Sequence, residues 1–155
     1  MYFVEKIKNE YKDEDVVLFV DMDGVIADYD FGNAKDFHKK RPVRTNINTF
    51  LELSKEKNIE LCILSVCRTN EQIKEKNVWL DQYASFFKED KRFVLSKEVY
   101  DTLSSKEIKA NFLKDYIKKK PGKKIVVVDD DNGILKYYYK VLPEIRLFQD
   151  SSIID

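Results

Sequence analysis

Continuous apolar runs alternate with helical apolar stripes along this chain. Val16-Val17-Leu18-Phe19-Val20 has no polar interruption, the mark of a strand covered on both faces. Ile59 to Leu64 is a second such run, and Ile125 to Val128 a third, made wholly of β-branched residues. Shorter strands are predicted around Arg92 to Leu95 and Ile145 to Phe148. Between the runs, apolar residues recur every three or four positions. One helix is predicted from about Asn46, with Ile47, Phe50, Leu51 and Leu53 as its apolar positions. Thr69 with Gln72 forms a capping box for a helix running to about Tyr83. Ser104 with Glu107 forms another, for a helix through Ile108, Phe112, Tyr116 and Ile117 that Pro121-Gly122 ends. A last helix passes through Leu135 and Tyr138 and stops before Pro143, and Val4, Ile7 and Tyr11 predict a short amphipathic helix at the start. Strands alternating with helices predict an α/β protein, a Rossmann-like three-layer α/β/α arrangement around a parallel sheet.

Composition narrows this picture. The 155 residues fit a single domain over 1–155, and 43% hydrophobic residues are enough for a real core. Twenty-eight basic and 28 acidic residues cancel, so no global field draws in nucleic acid or an anionic membrane. No stretch approaches the roughly 20 apolar residues of a membrane span, and the first fifteen residues mix Lys with Glu and lack an apolar signal core. A cytoplasmic protein is expected. Cys62 and Cys67 match no metal or redox spacing, and Cys62 reads as a core residue. Lys118-Lys119-Lys120 reads as a helix end.

The chemistry concentrates at two strand ends. Val16–Val20 runs into Asp21-Met22-Asp23-Gly24, and Ile125–Val128 runs into Asp129-Asp130-Asp131-Asn132. Open parallel sheets bind ligands beyond the carboxyl ends of their strands, so neighbouring strands here would bring four carboxylates together. Two carboxylates about 4 Å apart repel by roughly 1 kcal/mol in water and about 4 kcal/mol at an effective dielectric near 20. Several such pairs would consume much of a domain's net stability of about 5–15 kcal/mol. A divalent cation removes the conflict, and oxygen-only ligands favour magnesium over zinc. Ser65, after Leu61-Cys62-Ile63-Leu64, places a hydroxyl at a third strand end, and Lys109 or Lys106 offers a cation for a phosphoryl group.

These residues resemble the haloacid dehalogenase superfamily of phosphatases. The first motif of that superfamily is similar to Val17-Leu18-Phe19-Val20-Asp21-Met22-Asp23-Gly24-Val25, and the second to Cys62-Ile63-Leu64-Ser65. The third, a helix lysine, is similar to Lys109, with Lys106 the alternative, and the fourth to Val126-Val127-Val128-Asp129-Asp130. The resemblance implies a magnesium-dependent phosphomonoester hydrolase. Asp21 would be the nucleophile, forming an aspartyl-phosphate, and Asp23 the general acid and base. Asp21, the Asp23 carbonyl and Asp130 would hold Mg2+, with Asp129 close by, while Ser65 and the lysine bind phosphoryl oxygens. Asp21 to Asp30 also resembles the 5′(3′)-deoxyribonucleotidases, as does Lys76-Asn77-Val78-Trp79 with Tyr83. Those enzymes carry a helical cap between the first two motifs, whereas here only a flap over about 29–44 is left for one. The implied partner is a small phosphate ester such as a nucleotide.

Two alternatives stay open: a polynucleotide 3′-phosphatase, against which zero net charge argues, and a non-catalytic phosphate-binding module of the same fold. A signalling receiver domain is excluded by motif order, since receivers carry the acidic pair first and an aspartate where Ser65 stands. Trp79 reads as core packing and His38 as a loop residue among Lys39, Lys40 and Arg41, a basic patch whose alternative reading is contact with a phosphate-rich substrate. Tyr29 and Phe31 read either as base-stacking residues or as anchors of the flap.

Overall fold

The computed structural model of the chain describes residues 1–29 and 36–153. Five parallel strands, β1 (Val16–Val20), β2 (Ile59–Cys67), β3 (Arg92–Ser96), β4 (Lys124–Asp129) and β5 (Arg146–Gln149), form one sheet in the order β3-β2-β1-β4-β5. The helices are α1 (Tyr2–Glu10), α2 (Arg44–Leu53), α3 (Asn70–Tyr83), α4 (Ser105–Lys119) and α5 (Asn132–Val141). The arrangement is the three-layer α/β/α one that alternating strand and helix patterns predict.

Each strand's alternate residues serve different layers. Val16, Leu18 and Val20 of β1 pack with α1, α2 and α3 through Phe3, Ile7, Phe50 and Trp79. Val17 and Phe19 face α4 and α5, meeting Leu113 and Tyr138. With both faces covered, β1 is buried throughout, which is why its sequence shows no alternation. The amino-terminal stripe is buried as expected, and Phe3 adds an edge-to-face contact with Phe148.

Both capping boxes form, with Thr69 accepting from the Gln72 amide and Ser104 from the Glu107 amide. Two boundaries differ from the expectation. α2 starts at Arg44 and leaves Leu51 exposed, because its buried stripe runs through Asn46, Ile47, Phe50 and Leu53. β2 continues through Val66 and Cys67, because β3 pairs with it from Ile63 to Cys67. Of the flap expected over 29–44, positions 30–35, Phe31 among them, lie outside the described residues. The described remainder includes a 3-10 turn at Phe37–Lys39 and a bridge between Ala27 and Pro42. Among the described residues no helix is long and apolar enough to cross a membrane.

The chain's direction of progress across the sheet reverses at β1. β2 and β3 extend to one side, and β4 then returns to pair with β1 on the other, in the register Val16↔Lys124 to Val20↔Val128. The tips of β1 and β4 therefore end level, at the switch point where α/β sheets place ligands.

Candidate active site

Beyond the tip of β1, the Asp21 amide donates to Val128 O at 3.0 Å and carries the ladder one residue further. The chain then turns tightly, with the amides of Val25, Ile26 and Ala27 all donating to Met22 O. Met22 is buried in the core, and Asn46 of α2 ties the turn down by donating to Val25 O at 2.7 Å. Gly24 has φ +80°, and a Cβ there would stand 2.0 Å from Asp130 Oδ2. Glycine is thus required twice, by the left-handed backbone and by the acidic side chain filling the space. Gly24→Ala should cost at least the roughly 1–2 kcal/mol of a left-handed non-glycine residue. It should also push Asp130 aside, so thermal melts and magnesium titrations should both move, the latter toward weaker binding.

Asp21, Asp129 and Asp130 each offer a carboxylate oxygen, all within 4.8 Å of one another. Around an octahedral magnesium ion adjacent oxygens stand about 2.9 Å apart and opposite ones about 4 Å, so the trio supplies the oxygen ligands a hard divalent cation takes and would draw inward to hold it. Lys109 of α4, almost wholly buried, donates to Asp21 Oδ1 at 3.0 Å and to Asp129 Oδ2 at 2.8 Å. One ammonium faces three carboxylates, and the titration behaviour reflects the imbalance. Burial pushes Asp21 up to about 8, with Asp129 and Asp23 adding to the rise and Lys109 opposing it. Burial, then Asp129, pushes Asp130 up to about 6. Burial alone would lower the Lys109 pKa, but Asp21 and Asp129 outweigh it and hold the ammonium charged. The Asp131 side chain points elsewhere: it caps α5 by accepting from the amides of Gly133 and Ile134.

Asp23 stands apart from the trio. Its carboxylate accepts from Lys40 on Oδ1 and from Lys76 on Oδ2, the latter at 3.1 Å. Burial raises its pKa, but the two lysines outweigh that and hold the group below the ordinary carboxylate range. Lys76 Nζ also donates to Ser65 Oγ at 2.7 Å and to Val66 O at 3.2 Å. Ser65 is fully buried and lies within β2, not at its end; the β1 tip is level with Ile63, which sets Ser65 beside the Asp21–Asp23 turn.

The sequence-derived residues Asp21, Ser65, Lys109, Asp129 and Asp130 thus gather at one edge of the sheet. Lys106, the alternative lysine, does not: it is exposed, one helical turn before Lys109, with its Nζ 5.2 Å from the Tyr137 ring centroid. An open cavity of about 270 Å³ lies over the site, lined by Asp21, Asp23, Tyr29, Lys109, Asp129 and Asp130 among others. A larger cavity of about 410 Å³ opens at the opposite edge, near Asp15, Asn58 and Lys91, far from the acidic trio.

Sequence reasoning missed Lys40 and Lys76 as site residues. Lys76 carried a usable signal. It occupies the α3 stripe with Ile73, Trp79, Leu80 and Tyr83, where a lysine would be buried and in need of a partner. Lys40 was hidden in the basic run from Lys39 to Arg41. It is buried while His38, Lys39 and Arg41 are exposed. Trp79 packs edge-to-face on Phe37, and its Nε1 donates to Lys40 O at 3.0 Å.

No family model matches the chain, and no curated protein sequence matches it. Solved structures do. Two chains from structures of the Pnkp1/Rnl/Hen1 RNA repair complex superpose with a TM-score of 0.68 each, at 18% and 16% identity. They cover 90% and 89% of this chain, which spans only 44% and 46% of theirs. A chain described as a haloacid dehalogenase-like hydrolase from Burkholderia xenovorans LB400 has a TM-score of 0.52 at 16% identity, covering 88% of this chain and 81% of that one. At these identities the likeness is one of fold.

Proposed function

We infer that the chain is a magnesium-dependent phosphomonoester hydrolase that works through a covalent intermediate on Asp21. The observation that carries this reading is the convergence of Asp21, Asp129, Asp130 and Lys109 at the β1–β4 switch point. Asp21, Asp130 and the main-chain carbonyl of Asp23 would hold the metal, with Asp129 close by. When bound, magnesium supplies positive charge against the phosphoryl oxygens.

The protein's own groups account for the rest. An Asp21 oxygen bonds to phosphorus as the bond to the leaving oxygen breaks, and that oxygen takes a proton from Asp23, which first gains it from water because Lys40 and Lys76 hold the group ionised beforehand. A water then gives a proton to Asp23 and bonds to phosphorus, breaking the aspartyl-phosphate and releasing inorganic phosphate. Lys109 orients Asp21 and offsets its charge. Ser65 Oγ accepts from Lys76, so its own hydrogen is left to donate to a phosphoryl oxygen. Pre-placed donors of this kind are the main lever for phosphoryl transfer.

The substrate we propose is a small phosphate ester such as a nucleotide. Phosphorylated 3′ ends of nucleic acid are a second class. They are favoured by the cavity's openness and by the fold likeness to chains of an RNA repair complex, with zero net charge counting against. The deciding assay measures phosphate release from p-nitrophenyl phosphate, 3′- and 5′-nucleotides and a 3′-phosphorylated oligonucleotide, with magnesium or with chelator. Release from at least one substrate, lost on chelation, is the expected result. Silence on all of them, with magnesium present and the protein folded, would sink the reading.

A further inference from the structure

Resting on that reading, we propose that Lys40 is a positioning residue for Asp23: it grips one carboxylate oxygen so that the other meets the leaving group. Lys40 is buried, and among the described residues its ammonium donates to Asp23 Oδ1 alone. The Phe37 and Tyr29 ring centroids lie 5.2 and 5.6 Å from Nζ, both within cation–π range. Trp79 fixes the same residue's carbonyl. Position and direction of the Lys40 ammonium are therefore set by neighbours.

A purely structural tether does not explain this arrangement. The segment is already held by the Asp28 amide on Arg41 O, the Val43 amide on Ile26 O and Trp79 on Lys40 O. Burying an ammonium is costly before its partner offsets any of it, and three hydrogen bonds make that unnecessary for anchoring. What the ammonium alone adds is a fixed orientation of the Asp23 carboxylate.

The two lysines on Asp23 differ in their other commitments. Lys76 spends its three hydrogens on Asp23 Oδ2, Ser65 Oγ and Val66 O. A phosphoryl group entering beside Ser65 competes with Asp23 for Lys76 and frees Oδ2. Among the described residues Lys40 has no such competitor, and it keeps Oδ1 in place. Freed of Lys76, Oδ2 takes up a proton from water, passes it to the leaving oxygen as the bond to phosphorus breaks, and later takes one from the attacking water.

The test compares single-turnover release of an alkyl alcohol, which needs a proton to depart, with release of p-nitrophenolate, which does not. Lys40→Met should slow alcohol release at least about tenfold, part of the roughly 10²–10⁴ that general acid catalysis supplies, and should leave p-nitrophenolate release within about threefold. Lys40→Arg should recover most of the loss, and Lys40→Met should add nothing in an Asp23→Asn background. Equal slowing of both substrates, an additive effect in that background, or no slowing at all overturns the assignment. Lys40→Gln, which keeps a donor and no charge, takes the place of Lys40→Met if methionine unfolds the chain, with the same expectations. If Asp21→Asn is inactive while the Lys40 variants are unaffected, this inference alone fails; if Asp21→Asn is active, the underlying hydrolase reading fails.

Discussion

Asp21→Asn is expected to abolish phosphate release, by on the order of 10⁴-fold or more, while the protein folds and becomes more stable without metal. The activity loss follows from removing the atom that bonds to phosphorus, since a carboxamide does not replace a carboxylate nucleophile. The stability gain follows from linkage. Asp21 sits well above its ordinary pKa of 3.8, at about 8, chiefly through burial. A carboxyl group with a raised folded-state pKa contributes stability at low pH that is lost as pH climbs from about 4 to about 8. Asparagine has no charge to bury, so the variant should match the parent near pH 4 and exceed it by more than about 1 kcal/mol near pH 8. Magnesium should reverse the order, because the parent's carboxylate trio binds the cation better than two carboxylates and an amide. Thermal melts at pH 4.5 and 8, with magnesium or with chelator, check all three parts. A variant that still releases phosphate would remove Asp21 from the nucleophile role.

The acidic trio was legible from sequence because two physical signals coincided there. Unbroken apolar runs located β1 and β4, and the aspartates following each run were too many for an unpartnered surface. Pairing of Val20 with Val128 then makes the two clusters neighbours, as parallel-sheet logic required. Periodicity encodes which face a residue occupies, but it does not encode depth along the sheet. That is why Ser65 was placed at a strand end although β3, pairing later in the chain, extends β2 beyond it. Nor does it reveal which member of a charge run is buried. Lys76 meets Asp23 across 53 residues of sequence and Lys40 meets it across 17, through a turn that local patterning does not describe. Lys109 was easier because the resemblance pointed to a helix lysine ahead of the β4 acids, although its contact with Asp21 spans 88 residues.

The other large effect belongs to Lys109. Its ammonium pairs with Asp129 and, once Asp21 ionises near pH 8, with Asp21 as well, and all three groups are buried. Removing one partner of a buried ion pair costs about 3–5 kcal/mol because the remaining charge has no solvent. For a domain of this length, Lys109→Met should therefore lower the melting temperature by roughly 6–20 °C in chelator at neutral pH. The pH dependence has a definite sign. Lys109 holds the Asp21 pKa down, so its loss drives that pKa further up and makes ionisation costlier. The gap between variant and parent should stay constant up to about pH 7, where Asp21 is protonated in both, and widen from about pH 8 upward, where only the parent ionises. Magnesium should then stabilise the variant more than the parent, since the trio now has no competing ammonium, yet activity should stay at least about a hundredfold down. That split separates Lys109 as an electrostatic and orienting element from Lys109 as a mere packing residue. A loss of stability indifferent to both pH and magnesium would assign it to packing.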